Sequence, residues 1–564
     1  MNGVRVVVVP GPDPSGVLQD VGPDGNPSGR AQPVPDLGAA ITVREAAEQP
    51  RWVWPSTPAA YRPVLAAGGR VRACHDLTIV ERLLHAAGGG WGAPVALPAA
   101  WARLHGELPP ADPVVPEAAP LGGPVQDTLF APTHDSGLPP GVSAIDAAVA
   151  VHADQLRRLP ASPVSALLAG SESACALLAE EMSAAGLPWR ADVHDRLLTT
   201  ALGPAVRSGR PPRLAELAEQ VSAAFGRQVN PDSPAELLAA FSRDGLAITS
   251  TRSWEIQGLD HPAVRPLLAY KELARLHAAH GWSWLSRWVH EGRFRGEYVV
   301  GGVVSGRWAT RGGGALQIPK SVRAAVVADE GWSLVVADAA QLEPRVLAAI
   351  ADDAGLTALA GAGDLYTAIA ADTFCGDRAK AKVGILGTLY GATAGDAGPL
   401  LALLRRRFPR AVGYVEAAAT AGEQGRLVRS VLGRTCPAPS PAWRQAQDAA
   451  SLPEASAVVQ RRAGQVARDR GRFTRNFVVQ ASAADWTAVL LPALRDRLAA
   501  LDPRAQLVFF QHDEVIVHCP TDLAEAVTGA IDAAGEQATR LVFGGTDVRL
   551  PLVSTTVRSY DEAK

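Results

Sequence analysis

The sequence predicts a mixed α/β chain of more than one domain, and three observations predict it. Its 564 residues exceed a single small module, since one domain takes about 100 to 200 residues. With 47% hydrophobic and 20% charged residues, the chain has material for packed cores and lacks the composition of disorder. Short β-like runs and stretches of helical apolar spacing follow one another along it.

Each stretch has its own justification. The opening VRVVVV, followed by the turn clusters GPDPSG and GPDGNPSG, predicts a loose α/β region to about residue 159. From about 164 to 293 apolar residues recur at helical spacing, as in SALLAGSESACALLAEEM and VRPLLAYKELARLHAAHGWSWLSRW, so this part is expected to be mainly helical. Within it NPDSPAELLAAF starts a helix: Ser233 can cap and Pro234 sits where an amide proton has no partner anyway. From Tyr298 onward EYVVGGVV, SLVVAD and LVFFQHDEVIVHC are β-like runs that end near polar residues, between further helices.

Charge and cysteine content exclude several classes. Lys and Arg total 54 against 57 Asp and Glu, a net charge of -3, so no global basic excess is present and any polyanion site must be local. The arginine clusters at 405–407 with Arg410, and Arg461, Arg462, Arg468, Arg470, Arg472 and Arg475, are candidates for it. Five cysteines, far apart and without a C-x-x-C pair, argue against a zinc module or a disulfide scaffold and read as small buried hydrophobes. The opening apolar run is too short for a signal peptide and is broken at Pro10, and no later window gives 18 uncharged apolar residues. A cytoplasmic chain with no membrane partner is expected.

Three constellations can carry chemistry. In SLVVADAAQLEPRVLAAI a strand-like run stops at Asp338 before a helical pattern. On its own, such an aspartate reads more readily as a helix N-cap. LVFFQHDEVIVHC reads as two strand halves around Gln511, His512, Asp513 and Glu514. Asp338 and Asp513 lie 175 residues apart; brought together, they would make the hard-oxygen site that Mg²⁺ prefers beside substrate phosphates. In RAKAKVGILGTLYG, Arg378, Lys382, Leu386 and Tyr390 fall four apart, so two cations, an apolar side chain and an aromatic ring share one helical face. That stripe suits a nucleotide, although an isolated window of this kind is more often an amphipathic helix with a solvated basic end. The chain has only five lysines, and two of them, Lys380 and Lys382, stand here.

Taken together these segments resemble the polymerase domain of family A DNA polymerases, the bacterial DNA polymerase I type. NPDSPAELLAAFSRDGLAITST with HPAVRPLLAYKELARL resembles the thumb region, and SGRWATRGGGALQIPK the TGR...NLQNIP segment. VADAAQLEPRVLA resembles motif A (DYSQIELRVLA), RAKAKVGILGTLYG motif B and QHDEVIVHCP motif C. LVRSVLGRT and RNFVVQASAAD are similar to two further family segments, and the likeness runs collinearly from about Ser171 to the C-terminus. It implies a right-hand polymerase domain over 164–564, with palm sheet, helical thumb (about 164–293) and fingers, preceded by a smaller ribonuclease H-like 3'-5' exonuclease-like domain over 1–163. It implies template-directed addition of deoxynucleotides to a primer by a monomer with two Mg²⁺ ions. The partners it implies are primed template DNA and deoxynucleoside triphosphates.

Carried over position by position, Asp338 and Asp513 match the metal-binding aspartates, with Glu514 a supporting carboxylate. Arg378 and Lys382 match triphosphate-binding cations, Tyr390 the residue beside the templating base, and Glu343 the side chain that excludes a ribose hydroxyl. Gln341 and Tyr366 fall among the substrate-binding positions. Arg307, Gln317, Arg472, Asn476, Gln480 and His512 match residues that contact primer, template or nucleotide.

The chain departs from the family at Leu386 (for Phe or Tyr), Gly384 and Ile385, Ala339 (for Tyr), Pro344 (for Leu), and DLY at 364–366 (for DIH). Catalysis is expected to persist, because an aromatic ring is lost but not the metal site. A non-catalytic polymerase-fold DNA-binding protein is the alternative. At the N-terminus RACHDLTIVERLL is similar to HNLKFDLKML, but Val80 stands at the aspartate and the first strand has no Asp-x-Glu pair. An inactive exonuclease-like domain is expected, with Asp76, Asp146 and Asp154 the acids that could sustain residual activity. No region is expected for a 5' nuclease domain.

Overall fold

A computed structural model of the chain describes residues 4–12, 14–113, 137–314, 316, 318–361, 363–391 and 397–563. Of the candidate site residues, Gln317 lies outside the described residues.

The N-terminal region is better ordered than its turn-rich sequence predicts. Strands β1 (Arg5–Pro10), β2 (Gly16–Val21), β3 (Gln32–Val34), β4 (Arg51–Trp54) and β5 (Ala73–Asp76) form one sheet in the order β3-β2-β1-β4-β5. The β1–β2 and β2–β3 pairs are antiparallel, while β1–β4 and β4–β5 are parallel. Helices α1 (Leu37–Glu48), α2 (Thr57–Ala66), α3 (Leu77–Ala86), α4 (Leu97–Leu104) and α5 (Ala144–Arg158) supply the crossovers and cover. The alternation in VRVVVV splits between two cores. Val6 and Val8 pack with Trp52, Trp54, Tyr61 and Leu177, whereas Val7 packs with Val53, Leu97 and Ala148 on the other face.

Leu177 belongs to α6 (Ala166–Ala185), a helix with 14 buried residues. Its Leu168, Cys175 and Met182 join the main core of the C-terminal half, so α6 joins the two halves as well as opening the helical region. After the short β6 (Leu187–Pro188) come α7 (Ala191–Leu202), α8 (Pro212–Ala224), α9 (Pro234–Arg243), α10 (Ser253–Gln257), α11 (Val264–His280) and α12 (Trp282–Trp288), with small cores of their own. At α9 the Ser233 hydroxyl accepts from the Glu236 amide at 3.3 Å, with Pro234 in the first turn, as the sequence predicts.

β8 (Arg293–Phe294) pairs with both β6 and β7 (Val289–His290), and β9 (Tyr298–Val299) pairs with β10 (Ala309–Thr310). Only two residues of EYVVGGVV are strand, because the chain turns at Gly301 with φ +57. The second sheet consists of β11 (Trp332–Ala339), β12 (Gln506–Gln511), β13 (Glu514–Pro520) and β14 (Leu552–Val557), in the order β12-β13-β11-β14. Alternate residues again serve two cores: Val335, Ala337, Val515 and Val517 on one face, Leu334, Val336, Phe509 and Ile516 on the other. Burial on both faces explains why these strands read as unbroken apolar runs.

Around this sheet lie α13 (Leu342–Ala351), α14 (Ala354–Leu359), α15 (Leu365–Thr373), α16 (Arg378–Tyr390), α17 (Ala397–Arg407), α18 (Pro409–Glu423), α19 (Pro441–Ser451), α20 (Ala457–Leu501) and α21 (Ala524–Phe543). One of them, α20, is long and apolar enough to cross a membrane by length and composition, but 89% of its apolar window is buried in the protein. Four of the cysteines are buried as expected; Cys375 is exposed, at a turn with φ +51.

Candidate active site

β11 and β13 run antiparallel with Asp338 opposite Glu514, and the Ala339 amide donates to the Asp513 carbonyl at 3.0 Å. The two distant aspartates therefore stand on neighbouring segments at one end of the sheet. Asp338 is half-buried within β11; the N-cap position of α13 falls to Gln341, whose φ of +49 turns the chain from strand into helix and whose side chain makes no cap hydrogen bond. His512, at φ +57, and Asp513 form the hairpin tip between β12 and β13. Loss of solvent, and next the Arg307 charge, hold the His512 imidazole below its ordinary pKa.

Glu514 is buried and accepts from the Tyr560 hydroxyl. Burial, then the Glu514 charge, push that phenol well above its usual range. The Arg323 guanidinium lies over the Tyr560 ring, 4.3 Å from its centroid. Glu514 is thus built into the wall behind the tip. Tyr560 and Arg323 were not foreseen from sequence; neither lies in a stretch whose pattern signals chemistry.

The predicted stripe on α16 forms. The Asp377 carboxylate caps the helix by accepting from the Lys380 amide at 3.0 Å. Ala381, Ile385, Thr388 and Leu389 are buried, while Arg378, Lys382 and Tyr390 are exposed and Leu386 is half-buried. The stripe is the face that α16 does not use for packing. Among the described residues no carboxylate pairs with Lys382. Arg378, in contrast, donates to Asp364 through Nη2 at 2.8 Å and Nε at 3.2 Å.

Glu343, in the first turn of α13, is held from two sides: Arg307 pairs with one carboxylate oxygen, and the Tyr390 hydroxyl donates to the other at 2.8 Å. Burial, and then Glu343, push the Tyr390 phenol up to about 12. Arg307, Glu343, Tyr390, His512 and Asp513 line one cavity of about 110 Å³, together with Trp308, Phe510 and Thr487 of α20. A larger cavity of about 970 Å³ lies between the N-terminal sheet and residues 297–300. None of the candidate residues named from the sequence lines it, Asp76 excepted.

Other candidates fall differently. The Gln341 amide is committed inside the protein: Oε1 accepts from the Leu365 amide at 3.1 Å, and Nε2 donates to Asp364 at 3.2 Å. Tyr366 is buried on α15. On α20, Arg472, Asn476 and Gln480 recur every fourth residue on the face that continues to Thr487. Arg472 is exposed and paired with Asp469; Asn476 and Gln480 are half-buried. The arginine clusters supply fewer open cations than their number suggests. Arg405 pairs with Glu416, Arg407 with Asp372 and Arg410 with Asp352. Arg475 is buried and donates to the Thr388 carbonyl at 3.3 Å, while Arg461, Arg462 and Arg468 remain exposed.

The loop before α19 is fixed to this site by buried charge. Arg434 donates to Glu172 at 2.7 Å and to Asp485 at 3.2 Å, with all three side chains at most 2% exposed. Gly306, at φ +88, lies so close that any Cβ there would collide with the Arg434 guanidinium. The segment carrying Arg307 is thereby seated on α6 and α20.

The model of DNA polymerase family A matches residues 210–561. The chain belongs to that family. Among similar proteins, the thermostable DNA polymerase I of Thermus filiformis is 29% identical over 332 residues, which is 54% of this chain and 37% of the relative. DNA polymerase I of Deinococcus radiodurans is 24% identical over 369 residues, 58% of this chain and 36% of the relative. This family A chain thus matches little more than a third of the length of those relatives. In overall fold it is similar to the POL domain of Pol1 from M. smegmatis, solved in complex with DNA primer-template and dNTP. That likeness has a TM-score of 0.71 at 20% identity and covers 100% of this chain and 96% of that one. The mixed α/β polymerase fold expected from the sequence is the fold observed, and family A polymerases are generally metal-dependent.

Proposed function

We propose that this chain is a template-directed DNA polymerase that adds deoxynucleotides to a primer 3'-hydroxyl. The observation that carries the reading is the junction of Asp338 on β11 with the Asp513 tip of the β12–β13 hairpin, beside the free face of α16. Family membership supports it, as does a fold likeness to a polymerase solved with primer-template and nucleotide.

The donor set fits two Mg²⁺ ions. Asp338 and Asp513 are hard-oxygen ligands, and among the described residues no three His, Cys, Asp or Glu side chains close a cage. Substrate phosphates and water would therefore complete the coordination, as Mg²⁺ prefers. Such ions, when bound, activate the primer hydroxyl and stabilise the departing pyrophosphate. The chain's own residues do the rest. Lys382 and Arg378 attract the triphosphate along α16, Leu386 meets the nucleoside without stacking on it, and Tyr390 borders the templating base. Glu343, fixed by Arg307 and Tyr390, crowds and repels a 2'-hydroxyl. Arg472, Asn476, Gln480 and His512 line the duplex path, and contacts of this kind position DNA without reading its sequence.

The N-terminal unit is proposed as an inactive exonuclease-like domain. Asp76 is enclosed and spent as the cap of α3, Asp154 is paired with Arg157 and Arg158, and Asp146 is exposed at the start of α5.

Primer extension with the four deoxynucleotides and Mg²⁺ tests the reading. Elongation that disappears in Asp338→Ala is expected. DNA binding without incorporation would favour the non-catalytic alternative, and degradation of end-labelled DNA without nucleotides would contradict the inactive N-terminal unit.

A further inference from the structure

The two cations of α16 are prepared differently. Lys382 extends from the helix with no carboxylate partner among the described residues, free to follow an anion. Arg378 is fixed on two sides by α15. The Asp364 carboxylate takes its Nε and Nη2 edge at 3.2 and 2.8 Å, and the Tyr366 ring lies under its Cζ, 5.6 Å from the ring centroid. Among the described residues Nη1 meets no acceptor. Asp364 is itself immobilised: it caps α15 through the Thr367 amide at 2.7 Å and accepts from Gln341 Nε2 at 3.2 Å. Gln341 in turn accepts from the Leu365 amide at 3.1 Å, which ties the cradle to the start of α13, three residues after Asp338.

A guanidinium offers five N–H donors in a fixed plane, and a carboxylate that takes one edge sets that plane while leaving the other edge for a second anion. An aromatic face under the cation holds it further. We infer that Asp364 and Tyr366 are positioning residues, which fix the guanidinium of Arg378 so that its Nη1 edge meets the phosphates of the incoming nucleotide. Tyr366 on this reading touches Arg378 and not the nucleotide. The inference rests on the polymerase reading and deepens it: one phosphate-binding cation is rigid and oriented, the other mobile.

The test is single-nucleotide incorporation by the full chain on primed DNA, with kcat and KM for the nucleotide separated, and with DNA affinity measured alongside. Asp364→Asn keeps a capping side chain but loses the charge on the guanidinium edge. Tyr366→Leu removes the ring and Tyr366→Phe restores it. Asp364→Asn and Tyr366→Leu are each expected to raise KM about threefold to fivefold, the size of an exposed cation–π contact, with a smaller change in kcat and none in DNA affinity. Tyr366→Phe should recover most of the loss.

In an Arg378→Ala background both substitutions should have no further effect on KM, because they act only through the guanidinium; a merely structural role would add to it. The inference is overturned by Tyr366→Phe behaving like Tyr366→Leu, by additivity on Arg378→Ala, or by a KM that falls in Asp364→Asn. A wild-type chain that extends no primer would defeat the polymerase reading. Equilibrium binding of Mg²⁺-dATP to the same variants then decides the cradle by the same order of affinities.

Discussion

Two strand-to-helix junctions in this molecule look alike in sequence and have opposite fates. In the N-terminal sheet β5 ends at Asp76 and α3 follows at once. In the C-terminal sheet β11 carries Asp338 near its end and α13 begins beyond it, at Leu342. Asp76 is 2% exposed and accepts from the Thr57 amide and hydroxyl, both at 2.7 Å, and from the Ile79 amide at 2.9 Å. Its carboxylate is consumed in holding the fold. Asp338 is not at the cap position of α13, which is Gln341, and it stands at a sheet end next to the Asp513 tip. A strand, an acid and a helix therefore do not by themselves signal chemistry. What matters is whether the helix begins at the acid or beyond it.

The seam between the two regions is the place where the contrast breaks most severely. Glu181 of α6, 5% exposed in its side chain, accepts from the Tyr61 hydroxyl at 2.5 Å and from Arg495 at 2.6 Å, and Arg495 also reaches the Val71 carbonyl at 2.6 Å. Glu181→Ala removes the two-point carboxylate partner of the buried Arg495 guanidinium, leaving it the Val71 and Arg72 carbonyls and Asp496 at 3.7 Å, and is expected to cost about 3 to 5 kcal/mol, read by urea denaturation. Unchanged stability would mean that the two regions are not bolted together there.

Asp513→Asn comes next. Extension should fall roughly 100-fold or more, the scale for removing a group that stabilises transition-state charge, while the thermal midpoint stays within a degree or two of wild type. Asp76→Ala should do the reverse, with extension retained and stability down by about 2 kcal/mol, for a lost cap and an unsatisfied buried amide. A variant at Asp76 that stays folded and stops extending would erase the distinction between the two junctions.

The sequence made the second region easier to read than the first, for physical reasons. Strands buried on both faces appear as SLVVAD and LVFF, long enough to stand out. The α16 stripe is local, since residues four apart meet on any helix. The N-terminal strands, at three to six residues each, carry little pattern, and their pairing is fixed by contacts far apart in the chain. Nor does local pattern reveal which arginines are already spent: Arg475 stands in a cluster with Arg461 and Arg462 and Arg405 in one like it, yet Arg475 is buried against the Thr388 carbonyl and Arg405 is paired with Glu416. Tyr560 and Asp364 are the clearest omissions, since each acts on a site residue of a different segment.

The smallest effect at neutral pH, and the one that sharpens the comparison most, concerns a buried histidine pair. His75 of β5 and His152 of α5 meet edge to face with ring centroids 5.0 Å apart. His75 Nε2 contacts Gln155 Oε1 at 2.8 Å, whereas neither His152 nitrogen has a hydrogen-bond partner among the described residues. Burial lowers the His75 pKa to about 4. Burial, and then the neighbouring His75, lower that of His152 to about 2. Both folded values lie below the value of about 6.5 for an unfolded chain. From pH 6.5 down to 4 the unfolded state therefore binds protons that the folded state refuses, and stability falls as pH falls. His152→Leu removes one such group and should flatten the slope by about 1.4 kcal/mol per pH unit between pH 6 and 4, with little change at pH 7.5. Denaturation curves across that range decide it. A slope identical to wild type would mean that His152 takes up a proton within the fold, and that the N-terminal unit keeps an ionisable group in use where Asp76 is spent.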